Sequence, residues 1–290
     1  MSGRCPVALL DSHPGWSRYR NKIGTFWLVL MHDLSALRRA IAAIEPASSE
    51  PRADALFGFG ADDLDSALGG GLSRAALHEI YARRQADCAA AAGFGLCLAL
   101  RAAGGRPLLW ARQEFGDVEA GALHGAGLVA LGARPEAMLV VRLRDAGGVL
   151  RAADEGARCG ALGAVVAELW GDPRGLDLKA SRRLSLAAAS SGAALILVRQ
   201  AAEPRPSSAQ SRWSVASAPS TPLEANAPGR PAFDIALLRH RAGVPPRSWR
   251  LEWDHDHLSF ALPPLSRGVA AFAADGAAGA RASALRRRAG

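Results

Sequence analysis

An α/β fold with a mostly parallel central sheet is what this sequence predicts, and three observations predict it. Apolar strand-like runs alternate with helical patterns from residue 56 to residue 200, an order that gives parallel strands covered on both faces. The run 161–169 is too continuously apolar for a half-exposed strand. Residues 56–100 read as a short helix, a glycine turn, a strand, a loop and a long helix, the usual entry to a nucleotide-binding core.

The elements follow in order. Leu34, Leu37, Ile41 and Ile44 recur at helical spacing, so residues 34–44 are expected to form an amphipathic helix ending near Pro46. Pro and Ser make 46–55 a linker. A short helix is expected over 62–68, stopped by glycines 69–71, which accept the positive φ a helix end requires. Then come a strand at 76–81, an Ala-rich helix at 88–103, a strand at 107–111 and a helix at 118–128. The alternation continues with strands at 138–143, 161–169 and 194–199, and with helices at 148–159 and 178–191. Beyond Gln200 the pattern changes. Strands at 212–216 and 233–241, and a hairpin of 248–253 with 257–262, predict antiparallel strands that finish the sheet.

The domain reading is therefore 1–30 as a disordered or upstream-start extension, 31–55 as a helix and linker, 56–262 as the core and 263–290 as a disordered basic tail. The formal net charge is +8. Residues 1–22 carry +3 and residues 267–290 carry +4, so the ends hold 7 of the 8 charges and the core is near neutral. The high pI therefore gives no reason to place nucleic acid on the core. The four cysteines form no C-x-x-C pair, which argues against a zinc or redox site. Nine apolar residues at 23–31 are too few to cross a bilayer. No membrane contact and a cytoplasmic location are expected. The Asp254-His255-Asp256-His257 run reads as a hairpin turn, and no metal is expected.

In P-loop enzymes a strand leads directly into G-x-x-x-x-G-K-[ST] and a helix. Backbone N–H groups cradle the phosphates, the Lys neutralises them and the hydroxyl holds Mg²⁺. Here the strand runs into Ala82-Arg83-Arg84-Gln85-Ala86-Asp87-Cys88-Ala89. Cys88 falls at the lysine, Ala89 at the hydroxyl, and Asp87 is expected to set a negative charge beside phosphate. At an effective dielectric near 20 that contact costs about 4 kcal/mol at 4 Å.

Several stretches carry a resemblance. They are Asp62-Asp63-Leu64-Asp65-Ser66-Ala67-Leu68-Gly69-Gly70-Gly71-Leu72, Leu77-His78-Glu79-Ile80-Tyr81, Val165-Val166-Ala167-Glu168-Leu169-Trp170 and Leu176-Asp177-Leu178-Lys179-Ala180-Ser181-Arg182-Arg183-Leu184. Ser211-Arg212-Trp213-Ser214-Val215 and Leu237-Leu238-Arg239-His240-Arg241-Ala242-Gly243 complete the set. In this order they resemble the core of RecA-like recombinases, and most closely the ImuA family of damage-inducible mutagenesis proteins, over the middle two-thirds of the chain. The resemblance implies a RecA-like core with a degenerate Walker A motif.

Arg83, Arg84, Asp87, Cys88 and Ala89 would line that degenerate nucleotide site. Glu114 stands near the place of the acid that activates water, Glu168 near a metal-linked acid, and Gln200 near the residue that couples nucleotide state to a DNA-binding loop. With Ala89 in place of a hydroxyl, the plain reading of Glu168 is a helix or loop cap. No catalysis and no cofactor are expected.

The implied role is an adaptor in error-prone translesion synthesis. Its implied partners are an ImuB-like Y-family polymerase homologue and an error-prone C-family DNA polymerase, with RecA as a further contact and DNA contacted weakly or indirectly. Leu34, Leu37, Ile41, Leu285, Arg286, Arg287 and Arg288 are the candidate partner-binding residues. Two other classes stay open: a divergent RecA-like ATPase that binds DNA, and a SulA-like inhibitor of cell division.

Overall fold

The computed structural model describes residues 16–21, 24–30, 37 and 56–263, with the backbone alone for the first two stretches. One sheet of 11 strands organises them. Its first two strands are β1 (Trp16–Asn21) and β2 (Gly24–Leu30). A separate two-stranded ribbon pairs β3 (Leu56–Phe57) with β4 (Leu72–Ser73). The core strands are β5 (Leu77–Ala82), β6 (Leu108–Gln113), β7 (Met138–Leu143), β8 (Ala164–Trp170) and β9 (Ala194–Gln200). They are followed by β10 (Ser211–Ser217), β11 (Ala232–His240), β12 (Arg247–Asp254) and β13 (Ser259–Ala261).

The order across the sheet is β1-β2-β7-β6-β8-β9-β5-β10-β11-β12-β13. Every neighbouring pair from β2 to β10 is parallel, and β11 to β13 are antiparallel. This is the predicted α/β architecture, a mostly parallel sheet finished by antiparallel strands. One detail differs: β10 is itself parallel to β5 and turns antiparallel only on its other side, to β11.

Within residues 56–263 six α-helices connect the strands: α1 (Asp62–Ala67), α2 (Cys88–Ala103), α3 (Phe115–Ala120), α4 (Gly125–Ala130), α5 (Ala146–Arg158) and α6 (Leu178–Ser191). On one face of the sheet, α2 packs over β5, β8, β9 and β10. Phe59, Phe94, Trp213, Trp253 and Phe260 extend that core beneath the antiparallel strands. On the other face, α5 and α6 pack against each other and on Leu77, Val165 and Leu195.

The glycine stop after α1 is as expected. Gly69, Gly70 and Gly71 all take positive φ, and a Cβ on Gly71 would lie 2.3 Å from the Phe57 carbonyl oxygen. The expected single helix at 118–128 is instead two short ones, because Gly121 (φ 85, ψ 155) leaves the helical region between them.

The N-terminal reading needs correction. Trp16–Asn21 and Gly24–Leu30 are strands, and β2 adds to the sheet in parallel beside β7, with Trp27 opposite Leu139. The short apolar run that cannot span a bilayer has the length and the β-branched and aromatic content of a strand. Leu37 is helical and wholly buried against the α5–α6 side of the core. A side chain enclosed by its own domain has no surface to offer a partner, so Leu37 packs this domain. Leu34, Ile41, Leu285, Arg286, Arg287 and Arg288 lie outside the described residues.

Candidate functional site

The loop between β5 and α2 is short and tied down. After β5 the backbone N–H of Arg83 donates to the Val215 carbonyl (2.8 Å), and that of Asp87 donates to the Arg84 carbonyl (2.9 Å). Gln85–Asp87 form a 3₁₀ turn that runs straight into α2. A phosphate cradle needs N–H groups that point inward and lack partners, and these two are engaged within the chain.

Asp87 is wholly buried. Its Oδ1 accepts from the backbone N–H and hydroxyl of Ser217, both at 3.1 Å, and its Oδ2 accepts from Arg84 Nε at 3.1 Å. The expectation that Asp87 presents its charge to phosphate is thus replaced by an internal role. The tight turn points the carboxylate at the end of β10. Burial alone would raise the Asp87 carboxyl pKa, but the hydrogen bonds from Arg84 and Ser217 outweigh it and hold it below the usual carboxylate range.

Cys88 is buried, while Arg83 and Ala89 face solvent. Burial pushes the Cys88 thiol up; the Ala201 N–H opposes this, and the Glu168 and Asp87 charges add to it. A neutral thiol therefore stands at the first position of α2.

Glu168 and Gln200 are brought together beside this loop. Gln200 Nε2 donates to the Cys88 carbonyl (3.0 Å) and to Glu168 Oε1 (3.3 Å). Glu168 Oε2 accepts from Trp110 Nε1 (3.1 Å) and pairs with Arg112 Nε (3.3 Å). Arg112 in turn pairs through Nη1 with Asp117 (3.1 Å), which also pairs with Arg142. The Arg112 and Glu168 side chains are only 3% and 5% exposed. The expectation that Glu168 merely caps a loop is corrected by this geometry: it is the acid of a buried ion pair, and the guanidinium of Arg112 is its fixed counter-charge.

Glu114 stands apart, half-buried at the head of α3, where its backbone N–H donates to the Leu143 carbonyl (2.8 Å). Beside it Phe115 packs edge-on to Trp170.

A second polar cluster lies on the other face of the sheet. Glu79 pairs with Arg212 (2.9 Å) and accepts from the Tyr81 hydroxyl (3.3 Å). Burial raises the Tyr81 hydroxyl pKa, the Glu79 charge adds to it, and Arg199 and Arg212 oppose it. Asp172 bridges Arg199 (2.7 Å) and Arg205 (2.9 Å), so the loop after β8 is fastened to the loop after β9. Arg212 also donates to the Arg205 carbonyl and to the Ser207 hydroxyl.

Sequence reasoning named Glu168 and Gln200 but missed Arg112, Trp110, Asp117, Glu79, Arg199 and Asp172. A signal was present: Glu79, Arg112, Glu168 and Arg199 are each the one acidic or basic residue, histidine aside, of a largely apolar strand. A charge in such a position is almost always paired.

No protein-family model matches the chain, and no curated protein does. Among solved structures, the crystal structure of the RadB recombinase is similar, with a TM-score of 0.48 and 15% sequence identity. The likeness covers 72% of this chain and 100% of that one. It is a likeness of architecture and gives this chain no activity.

Proposed function

We propose that this protein is a non-catalytic, RecA-like accessory protein of damage-induced, error-prone translesion synthesis, a relative of the ImuA family. In this reading it joins an ImuB-like Y-family polymerase homologue to an error-prone C-family DNA polymerase, with RecA as a further contact. The observation that supports its non-catalytic part is the Glu168–Arg112 ion pair at 3.3 Å, with Gln200 bound to both Glu168 and the Cys88 carbonyl; the mutagenesis role rests on the family resemblance of the sequence. The groups that would handle Mg²⁺ and phosphate hold each other, and the loop's Arg83 and Asp87 N–H groups hold backbone carbonyls.

What such a chain has to offer is surface. Co-purification of the full-length protein with the polymerase homologue tests the reading, and the expected result is a stable complex. Repeating it without residues 267–290 tests the basic tail as a docking element. Failure of the intact protein to associate, or undiminished damage-induced mutation after deletion of its gene, overturns the adaptor role.

A further inference from the structure

At the N-terminal ends of the core strands, away from the loop after β5, a groove of about 560 Å³ opens between α6, residues 73–76, the segment leading into β10 and the turn joining β11 to β12. Its walls carry Arg182 from α6 and Arg241 from the end of β11. Both are exposed, and among the described residues neither has an acidic partner. No Asp or Glu lines the groove. The apolar part of its lining includes Ala76, Ala189 and Leu186. One wall also holds Gln210, whose Oε1 is buried without a hydrogen-bond partner.

The surface continues along the helix. Leu178, Arg182 and Leu186 recur every four residues and so share one face of α6, over roughly 12 Å at 1.5 Å per residue. Leu178 is 58% and Leu186 59% exposed. Large apolar side chains left in water beside unpaired cations are what an amphipathic acidic segment would cover. A small anion would use the two arginines and leave the leucines wet. A basic segment, or nucleic acid with no apolar side chains to offer, fits less of the surface.

We infer that this groove and the outer face of α6 form the docking site for an acidic, leucine-bearing segment of a partner protein. Arg182 and Arg241 take its carboxylates, and Leu178 and Leu186 take its apolar side chains. The inference deepens the adaptor reading and rests on it only for the existence of a protein partner.

Fluorescence anisotropy with the full-length chain tests it. The probe is a fluorescein-labelled peptide of Glu-Leu-Leu-Glu repeats, and the control peptide has Lys for every Glu. The expected result is saturable binding of the acidic probe alone. The pair Arg182→Glu/Arg241→Glu should weaken it about tenfold or more, since reversal turns two attractions into repulsions. Leu186→Ser should weaken it several-fold. Arg144→Glu makes a charge reversal at the opposite end of the strands and should leave it unchanged.

All these positions are exposed, so thermal unfolding should not move. Absence of saturable binding overturns the inference, as does equal weakening by Arg144→Glu, which would reduce the effect to net charge. Co-purification with the polymerase homologue is scored separately. Peptide binding without co-purification sinks the adaptor reading alone, and co-purification without groove-dependent peptide binding sinks the groove alone.

Discussion

Replacing Arg112 with Met removes the cation that, among the described residues, pairs with Glu168. The two side chains are 3% and 5% exposed and sit 3.3 Å apart. After the change Glu168 keeps only neutral donors, Trp110 Nε1 at 3.1 Å and Gln200 Nε2 at 3.3 Å. Asp117 keeps Arg142 but loses Arg112. A buried carboxylate stripped of its counter-charge costs about 3–5 kcal/mol, a large share of the 5–15 kcal/mol that holds an ordinary domain together.

Glu168→Gln should cost less, about 1–3 kcal/mol, because Arg112 retains Asp117 and a neutral amide needs no counter-charge. Removing both charges in Arg112→Met/Glu168→Gln should cost well under the sum of the single changes. A coupling of about 2 kcal/mol is expected for two groups in direct contact. Equilibrium urea denaturation followed by tryptophan fluorescence measures all three, with an unchanged slope showing that the unfolded state is the same. A loss below about 1 kcal/mol for Arg112→Met, or additivity within about 0.5 kcal/mol, would refute the counter-charge assignment.

The other predictions concern pH, backbone and the loop. His78 is wholly buried, bonded to Ser211 and to the Ser73 carbonyl, and burial lowers its pKa from 6.5 to about 4. The unfolded chain therefore binds a proton that the folded one refuses. Stability should fall as pH drops from 6.5 to about 4, by on the order of 3 kcal/mol, and His78→Leu should erase that limb in pH-dependent urea melts. Asp87, with its lowered carboxyl, contributes stability above its unfolded pKa and loses it as pH falls through the lower folded value. Asp87→Asn should weaken the protein at neutral pH and flatten the most acidic limb. Gly71→Ala puts a Cβ 2.3 Å from the Phe57 oxygen at φ +122, and thermal unfolding should register a loss of roughly 2–4 kcal/mol. Cys88→Lys/Ala89→Thr restores the missing P-loop side chains but not the N–H cradle, so calorimetry should find no tight MgATP binding. Micromolar affinity would contradict the closed-loop geometry.

Local signals made much of the fold legible. Residues 88–103 and 178–191 are helices to the residue, because Gly104 and Gly192 stop them in the left-handed region and Asp177 caps the second. Gly121 split an expected helix because a single glycine inside a helical pattern gives no sign of the φ it will take. The pairing of β2 with β7 was hidden for another reason: it joins positions more than a hundred residues apart, and no local pattern carries such a contact. The same holds at the site. Glu168 and Gln200 could be named from their place at strand ends. That Arg112 reaches Glu168 depends on β6 lying beside β8, a fact of topology.

The two polar clusters bear on how such a protein would act. In a P-loop motor, strand-end acids and loops respond to the γ-phosphate, and hydrolysis releases them. Here Glu168 already has its cation in Arg112, and Asp172 already ties the loop after β8 to Arg199 and Arg205 of β9 and its loop. Under the adaptor reading, these contacts, made by the chain itself, stand where a nucleotide's would be. A ligand shifts an equilibrium only by what it binds differently in two states, and this arrangement offers nucleotide little difference to act on. Under the adaptor reading, then, assembly is governed by how much partner is present and by its affinity for surfaces such as the α6 groove, and disassembly proceeds by simple dissociation.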